Sequence, residues 1–315
     1  MTRSPIRRVV LPEAEDARIL AAAVALRQAD LADPVLLGTR ESIEAAIKGL
    51  ALDASGIEII DPEGNRQLLE ECAGLYARRR GGGRQAIAER AVRKPLYFAA
   101  CLTALGRVDA MVAGIASPTR RVIEAASLCI GLADGITVPS SFFLAEFPNR
   151  SPIVFADCAL NVDPSADELA QIAAASWDSA SALLAEPARL AMLSFSTHGS
   201  ASHPRVDKVK SALDSLRLLR PDACVDGELQ LDAALSPEVA KTKLQNPGAV
   251  AGQANVLIFP DLDAGNIAYK LAQYLGGATM TGPMLQGFAA PVADLSRGAS
   301  TDDVVRVVQL LQRMF

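Results

Sequence analysis

Over the first sixty residues, short β-branched runs take turns with longer stretches whose apolar positions recur every three or four residues: RRVVLP, EAEDARILAAAVALRQA, DPVLLG, ESIEAAIKGL and IEIIDP. Unbroken apolar runs between turn formers fit strands covered on both faces, and the 3.6-residue period fits the helices that cover them. The alternation predicts βαβ units around a parallel sheet. A basic helical stretch is expected over 76–106, followed by a buried strand at VDAMVAGI and a helix from about residue 120.

The middle of the chain breaks this rhythm. ITVPSSFFLAEF and SPIVFADCAL are neighbouring strand candidates joined by the polar FPNR, which predicts a hairpin. DPSADELAQIAAASWDSASALL then opens with Asp163-Pro164 and a capping box from Ser165 to Glu168, and is expected to be helical. Strand ARLAMLSFS, helix PRVDKVKSALDSLRLL, strands ACVDGEL and ANVLIFP and helix GNIAYKLAQYLGG make up a second α/β unit. Near the end, Ser300 and Asp303 form another capping-box pattern ahead of the apolar helix VVRVVQLLQRMF. The pattern as a whole predicts two α/β domains with mainly parallel sheets and an active-site cleft between them. In such folds ligands meet the loops after strands. Four polar loops qualify: AGIASPTRR, SFSTHGSASHP, FPDLDAGN and DLSRGASTDD.

Composition narrows the possibilities. Half of the 315 residues are apolar, enough for a large core, and the formal net charge of -5 does not favour nucleic acid or an anionic membrane as partner. An anionic ligand must therefore be held by local positive charge. Residues 78 to 94 supply one concentration, with Arg78, Arg79, Arg80, Arg84, Arg90, Arg93 and Lys94 against Glu89. No aromatic residues interleave there, so stacking on single-stranded nucleic acid is not expected; a solvated helix face is the plainer alternative to a polyphosphate dock. The five cysteines are scattered singly with no C-x-x-C pair, which fits a reducing, cytoplasmic setting. The N-terminal MTRSPIRRVVLPEAED reads as neither signal peptide nor anchor, and no run elsewhere is long and apolar enough to cross a bilayer.

Missing motifs exclude several chemistries. The chain has no P-loop, no G-x-G-x-x-G after a strand, no G-x-S-x-G and no H-E-x-x-H. With only His198 and His203 available, neither a Ser-His-Asp hydrolase nor a histidine-rich metal site is expected, and no metal is. Both histidines lie in a polar loop and fit solvated or capping roles. In that loop the hydroxyls of Ser196 and Thr197 can cradle phosphate or simply cap the next helix, and Asn266 begins a helix in a loop of the same layout.

Taken in order, MVAG, SSFFL, FADCALNVDPSADELAQIA, MLSFSTHGS with VDKVK, DGELQLDAAL, ANVLIFPDLDAGNIAYK and DLSRG resemble the phosphate acetyl/butyryl transferase family over most of the chain. The resemblance implies reversible transfer of an acyl group, acetyl first among the candidates, between coenzyme A and inorganic phosphate. CoA and acetyl-CoA are then substrates, with no permanently bound cofactor. It also implies a homodimer and a fold like isocitrate and isopropylmalate dehydrogenases. Residues 1–135 plus 287–315 would form the first domain, and 136–286 the second, carrying the dimer interface. By match to the family motif, Ser296 and Arg297 are the active-site pair and Asp303 the general base. Arg78, Thr119, Arg121, Ser196, Thr197 and Asn266 are the expected substrate-binding residues. The chain departs from the family pattern where Pro118 replaces a hydroxyl residue and Glu124 replaces an arginine, so Arg121, one turn earlier, is the substitute cation. Asp263 and His198 are milder departures. A butyryl-preferring transferase and a non-catalytic acyl-CoA-binding homologue remain as alternatives.

The chemistry sets a demand on Asp303. A free thiol titrates near 8.5 and an aspartate near 3.9, a gap of about 6 kcal/mol for proton transfer. Desolvating the carboxylate, or placing Arg297 near the thiol, narrows that gap. No histidine or lysine adjoins Ser296 in sequence to activate it as a nucleophile, so direct transfer between bound substrates is expected.

Overall fold

The computed structural model describes residues 7–314. The chain forms two compact units, one holding the described residues up to Gly135 together with Phe288 onward, the other Ile136–Gly287.

In the first unit the strands β1 (Arg8–Leu11), β2 (Asp33–Leu37), β3 (Glu58–Ile60), β4 (Ala110–Ala113) and β11 (Val292–Asp294) lie in the order β3-β2-β1-β4-β11, all parallel. Val10 is in register with Val35 on one side and Met111 on the other, and all three are buried. The helix Ala17–Gln28 starts at Asp16, whose carboxylate accepts the Arg18 N–H. It packs against the last helix, Thr301–Met314, which buries Val304, Val307, Val308 and Leu311 on one face. Full burial of each such side chain stabilises by about 1.5–3 kcal/mol.

The stretch 76–106 is not one helix. It holds the end of Arg66–Arg79, then Gln85–Val92 and Pro95–Ala104. Gly81, Gly82 and Gly83 all take positive φ, which ends the first helix, and Pro95 cannot continue the second because it has no N–H to donate. The helix Thr119–Ala125 follows β4 and continues as a π-helical turn, Ala126–Ile130.

The second unit contains the expected hairpin. β5 (Ser140–Phe147) and β6 (Arg150–Ala156) pair antiparallel, and β10 (Thr279–Gln286) pairs antiparallel with β5. β7 (Leu190–Leu193), β8 (Val225–Leu229) and β9 (Val256–Ile258) complete the order β10-β5-β6-β9-β7-β8, with parallel pairing from β6 onward. The capping box of Ser165 and Glu168 forms at the head of Ala166–Leu183. The core gathers Phe143, Phe155, Leu257 and Phe259, with Tyr269 stacked on Phe143 at 4.3 Å between ring centroids. β10 and β11 escape the sequence pattern. β10 carries Gly282-Pro283 at a register shift, and β11 is only three residues long.

No helix among the described residues is long and apolar enough to cross a membrane.

Candidate active site

Parallel strands end together, so the loops after β1, β4 and β11 leave the same edge of the first unit's sheet. Their approach is close. Gly114, at φ 114°, follows β4, and a Cβ there would stand 2.1 Å from Asp294 Oδ1 and 2.7 Å from the Leu295 amide nitrogen. Only glycine fits. Across this contact the Thr119 hydroxyl donates to Asp294 Oδ2 at 2.6 Å, joining the start of helix Thr119–Ala125 to the end of β11. Glu13, after β1, braces the same loop: its carboxylate accepts the N–H groups of Gly114, Ile115 and Ala116 at 2.8, 2.9 and 3.2 Å.

Asp294 is 1% exposed, and its Oδ1 has no well-formed hydrogen bond. Burial pushes its carboxyl up to about 7, opposed by the Thr119 hydroxyl and the Leu295 amide and helped by the charge of Glu13. An acid raised in the fold is stabilising while protonated. Its contribution is complete below the unfolded value near 3.8 and is lost as pH rises through about 7.

Two residues on, Ser296 and Arg297 are exposed. Ser296 Oγ accepts only the Gly298 N–H, at 3.3 Å, and the Arg297 guanidinium has no hydrogen-bond or ion-pair partner among the described residues. The turn thus presents a hydroxyl and an uncompensated cation. Asp303, in contrast, is fully engaged. Its Oδ2 accepts the Ser300 N–H and hydroxyl at 2.8 and 2.7 Å, and Oδ1 accepts Arg306 at 2.6 Å. Burial pulls its carboxyl up, but the Ser300 and Arg306 interactions outweigh this and hold it below the usual aspartate value. The capping box read from the sequence is present, and the carboxylate is a weaker base than one raised by desolvation.

Arg121 lines a cavity of about 710 Å³ beside these loops, together with Glu13, Thr39, Ser42, Tyr97 and Ser117. The Arg121 guanidinium lies 3.4 Å from Glu124. Burial, then hydrogen bonding to Glu124, pushes the Tyr97 hydroxyl up to about 12. Glu124 therefore has two local partners, and Arg121 is partly neutralised. Arg78 does not line this cavity. Its guanidinium runs back along its own helix to within 3.4 Å of a Cβ built on Gly74, while Arg79 lies against Gly131.

In the second unit, Ser196 and Thr197 are buried and face inward. The Ser196 hydroxyl donates to Glu228 at 2.7 Å and accepts the Ala201 N–H, and the Thr197 hydroxyl pairs with Gln230. Burial pushes Glu228 up, yet the Gly199 N–H and the Ser196 hydroxyl overcome it and hold the carboxyl below its usual value. His198 meets Asp226 at 3.1 Å, and His203 caps the helix Pro204–Leu219. Asn266 donates to the Cys158 carbonyl at 3.3 Å, next to Gly265, where a Cβ would come within 2.3 Å of the Asp157 carbonyl oxygen.

Glu13 and Asp294 were not among the residues singled out from sequence. The signal available for both is an acid at or within two residues of the end of a buried strand, where the chain passes into a loop. Among the described residues, no group of three or more His, Cys, Asp or Glu is arranged to hold a metal ion.

The structure is thus an α/β fold with mostly parallel strands that carries an unpaired arginine and a serine on the turn after one strand, at the strand ends where such folds take up ligands. The profile of phosphate acetyl/butaryl transferase matches residues 2–311, and the chain belongs to that family. It is 44% identical over 313 residues to a phosphate acetyltransferase of Thermoanaerobacterium thermosaccharolyticum, covering 97% of this chain and 94% of the relative. To one of Clostridium acetobutylicum it is 42% identical over 310 residues, covering 96% and 93%. The crystal structure of a phosphotransacetylase from Streptococcus pyogenes superposes with a TM-score of 0.91 at 38% identity, covering 98% of this chain and 93% of that one.

Proposed function

We propose that this chain is an acyltransferase that moves acetyl reversibly between coenzyme A and inorganic phosphate. The observation that carries this is the exposed Ser296-Arg297 turn with its unpaired guanidinium, in a chain whose relatives at 42–44% identity are phosphate acetyltransferases. The fork of Arg297 fits phosphate oxygens in two-point contact and stays charged throughout. Set against the phosphate that departs when the thiolate attacks acetyl phosphate, it stabilises charge that grows in the transition state. Ser296 donates to the same oxygens. Transfer is direct, with CoA as a substrate and no resident cofactor.

Asp303 is the proposed proton acceptor for the thiol. Because Ser300 and Arg306 hold its carboxyl below the usual value, it serves only after releasing one of them, and Arg297 must lower the thiol to make up the remaining gap. Arg121 is the proposed contact to the substrate on the cavity side, while Thr119, whose hydroxyl is committed to Asp294, acts by holding the start of the helix that carries Arg121. Ser196 and Thr197 act through the shape of their loop, since both hydroxyls already have partners. Asn266 keeps its place as a proposed contact; Arg78 is the weakest of the set, turned along its own helix.

The working assembly is a homodimer formed through the second unit. On helix Leu262–Tyr274 and the residue after it, Ile267, Leu271, Tyr274 and Leu275 form an exposed apolar stripe at helical spacing, which supports this. A reducing, cytoplasmic home accords with the five free cysteines. A second reading, acyl-CoA binding without turnover, is favoured by one observation, the carboxylate of Glu124 beside Arg121.

Incubation with acetyl phosphate and CoA is expected to consume free thiol. No loss above the blank overturns the transferase and leaves the binding protein. Butyryl phosphate run in parallel reads the acyl preference, with acetyl expected to be faster.

A further inference from the structure

The helix that follows the β1 loop holds a second brace at its start. Arg18 donates from one guanidinium nitrogen, Nη1, to two backbone carbonyls, those of Arg297 at 2.9 Å and Ala299 at 2.8 Å. The rest of its fork is fixed from behind by Asp16, which accepts from Nε at 2.9 Å and from Nη2 at 2.8 Å. Asp16 also caps the helix that carries Arg18, so the guanidinium is set by a carboxylate that is itself anchored at the start of that helix. A turn bearing a catalytic arginine would otherwise be held by little more than the Ala299 N–H to Ser296 carbonyl bond and the weak Gly298 contact.

We infer that Arg18, clamped by Asp16, is a positioning residue that holds the Ser296-Arg297 turn in the geometry needed for transfer. This rests on the function proposed above for that turn. Arg18 reaches the turn only through main-chain oxygens, so it leaves the Arg297 side chain free for the substrate. Four of the five N–H groups of a guanidinium are used here: two in carbonyl bonds on one side and two in a two-point carboxylate contact on the other. A lysine offers three donors from a single point and cannot make both sets in this geometry. The two anchors that follow β1 act on different neighbours, with Glu13 in the loop bracing residues 114–116 and Arg18 in the first turn of the helix bracing residues 297–299.

The test compares Arg18→Ala, Arg18→Lys, Asp16→Asn and Arg297→Ala in the acetyl phosphate and CoA assay, with melting temperatures measured on each. Arg18→Ala is expected to lower kcat by about 100-fold, the scale of an ångström-sized misplacement, with KM for both substrates changed far less. Added guanidinium ion is expected to restore part of that loss, because the cavity left by the side chain faces two carbonyls and a carboxylate. Arg18→Lys should recover part of the activity. Asp16→Asn keeps a competent helix cap, so a fall in kcat without a fall in melting temperature would report the clamp alone. The inference is overturned if Arg18→Ala keeps its kcat while Arg297→Ala loses it, or if the kcat loss follows the melting temperature and guanidinium restores nothing. Full activity in Arg297→Ala instead removes the proposed role of the turn itself, and this inference with it.

Discussion

Two loops look alike on paper, SFSTHGSASHP in the second unit and DLSRGASTDD in the first: each follows a buried strand, is rich in hydroxyls and glycine, and leads into a helix. Folded, they differ in what is left over. In the first of these, hydroxyls and amides converge on the buried Glu228 and on Gln230, and the hydroxyls of Ser196 and Thr197 both have partners. The second satisfies its helix end through Ser300 and Asp303 but leaves the Ser296 hydroxyl and Arg297 guanidinium facing out. Both loops are well bonded. Only the second keeps a guanidinium that no described residue takes up, and the difference lies in whether a buried carboxylate draws the loop's donors inward.

The sharpest way to break this contrast is Arg297→Ala, expected to lower kcat by roughly 10³-fold, the scale of a lost transition-state donor, in the thiol-consumption assay. Retained turnover would put the two loops on the same footing. Asp303→Asn comes next. If the carboxylate takes the thiol proton, turnover falls by about 100-fold with little change in KM. Because its carboxyl is held below the usual value, the wild-type protein draws stability from Asp303 above about pH 3.8 and loses it as pH falls further, so acid unfolding should begin at higher pH in the variant.

Glu124→Arg should tighten CoA or acetyl phosphate by about tenfold in a direct titration, since it frees Arg121 and adds a charged donor beside it. Weaker binding would show that Glu124 has a task of its own. The smallest effect on turnover is expected from Ser196→Ala, which should lower kcat by no more than about threefold, through the shape of its loop, while lowering stability to urea by about 2 kcal/mol through the lost hydrogen bond to the buried Glu228. A loss of activity without a loss of stability would return that hydroxyl to the substrate.

Much of the fold is legible in the chain because local signals are strong where periodicity and caps agree. The helix Pro204–Leu219 spans the same residues as the run PRVDKVKSALDSLRLL, and the hairpin of β5 and β6 forms around FPNR. Signals fail where a strand is short or carries Gly-Pro, as in β11 and β10, and where three glycines divide an apparently continuous helix at residues 81–83. For the candidate site, the Ser-Arg pair and the Ser300 to Asp303 box are local patterns and can be read. Glu13, Arg18 and Asp294 cannot, since their partners lie up to 281 residues away in the chain, and Asp16 matters only through Arg18.

From sequence alone come the alternating α/β elements, the family motifs and the residue types able to meet phosphate. Only the tertiary structure decides which of those polar groups are already taken. Arg78 turns along its helix, Ser196 binds Glu228, Asp303 is held by Ser300 and Arg306, and Arg297 is left free. The physical reason is that a hydrogen bond is a property of two groups brought together. Spacing along the chain governs only pairs a few residues apart, while the charge state and availability of a side chain are set by whichever distant neighbour the packed sheet delivers to it.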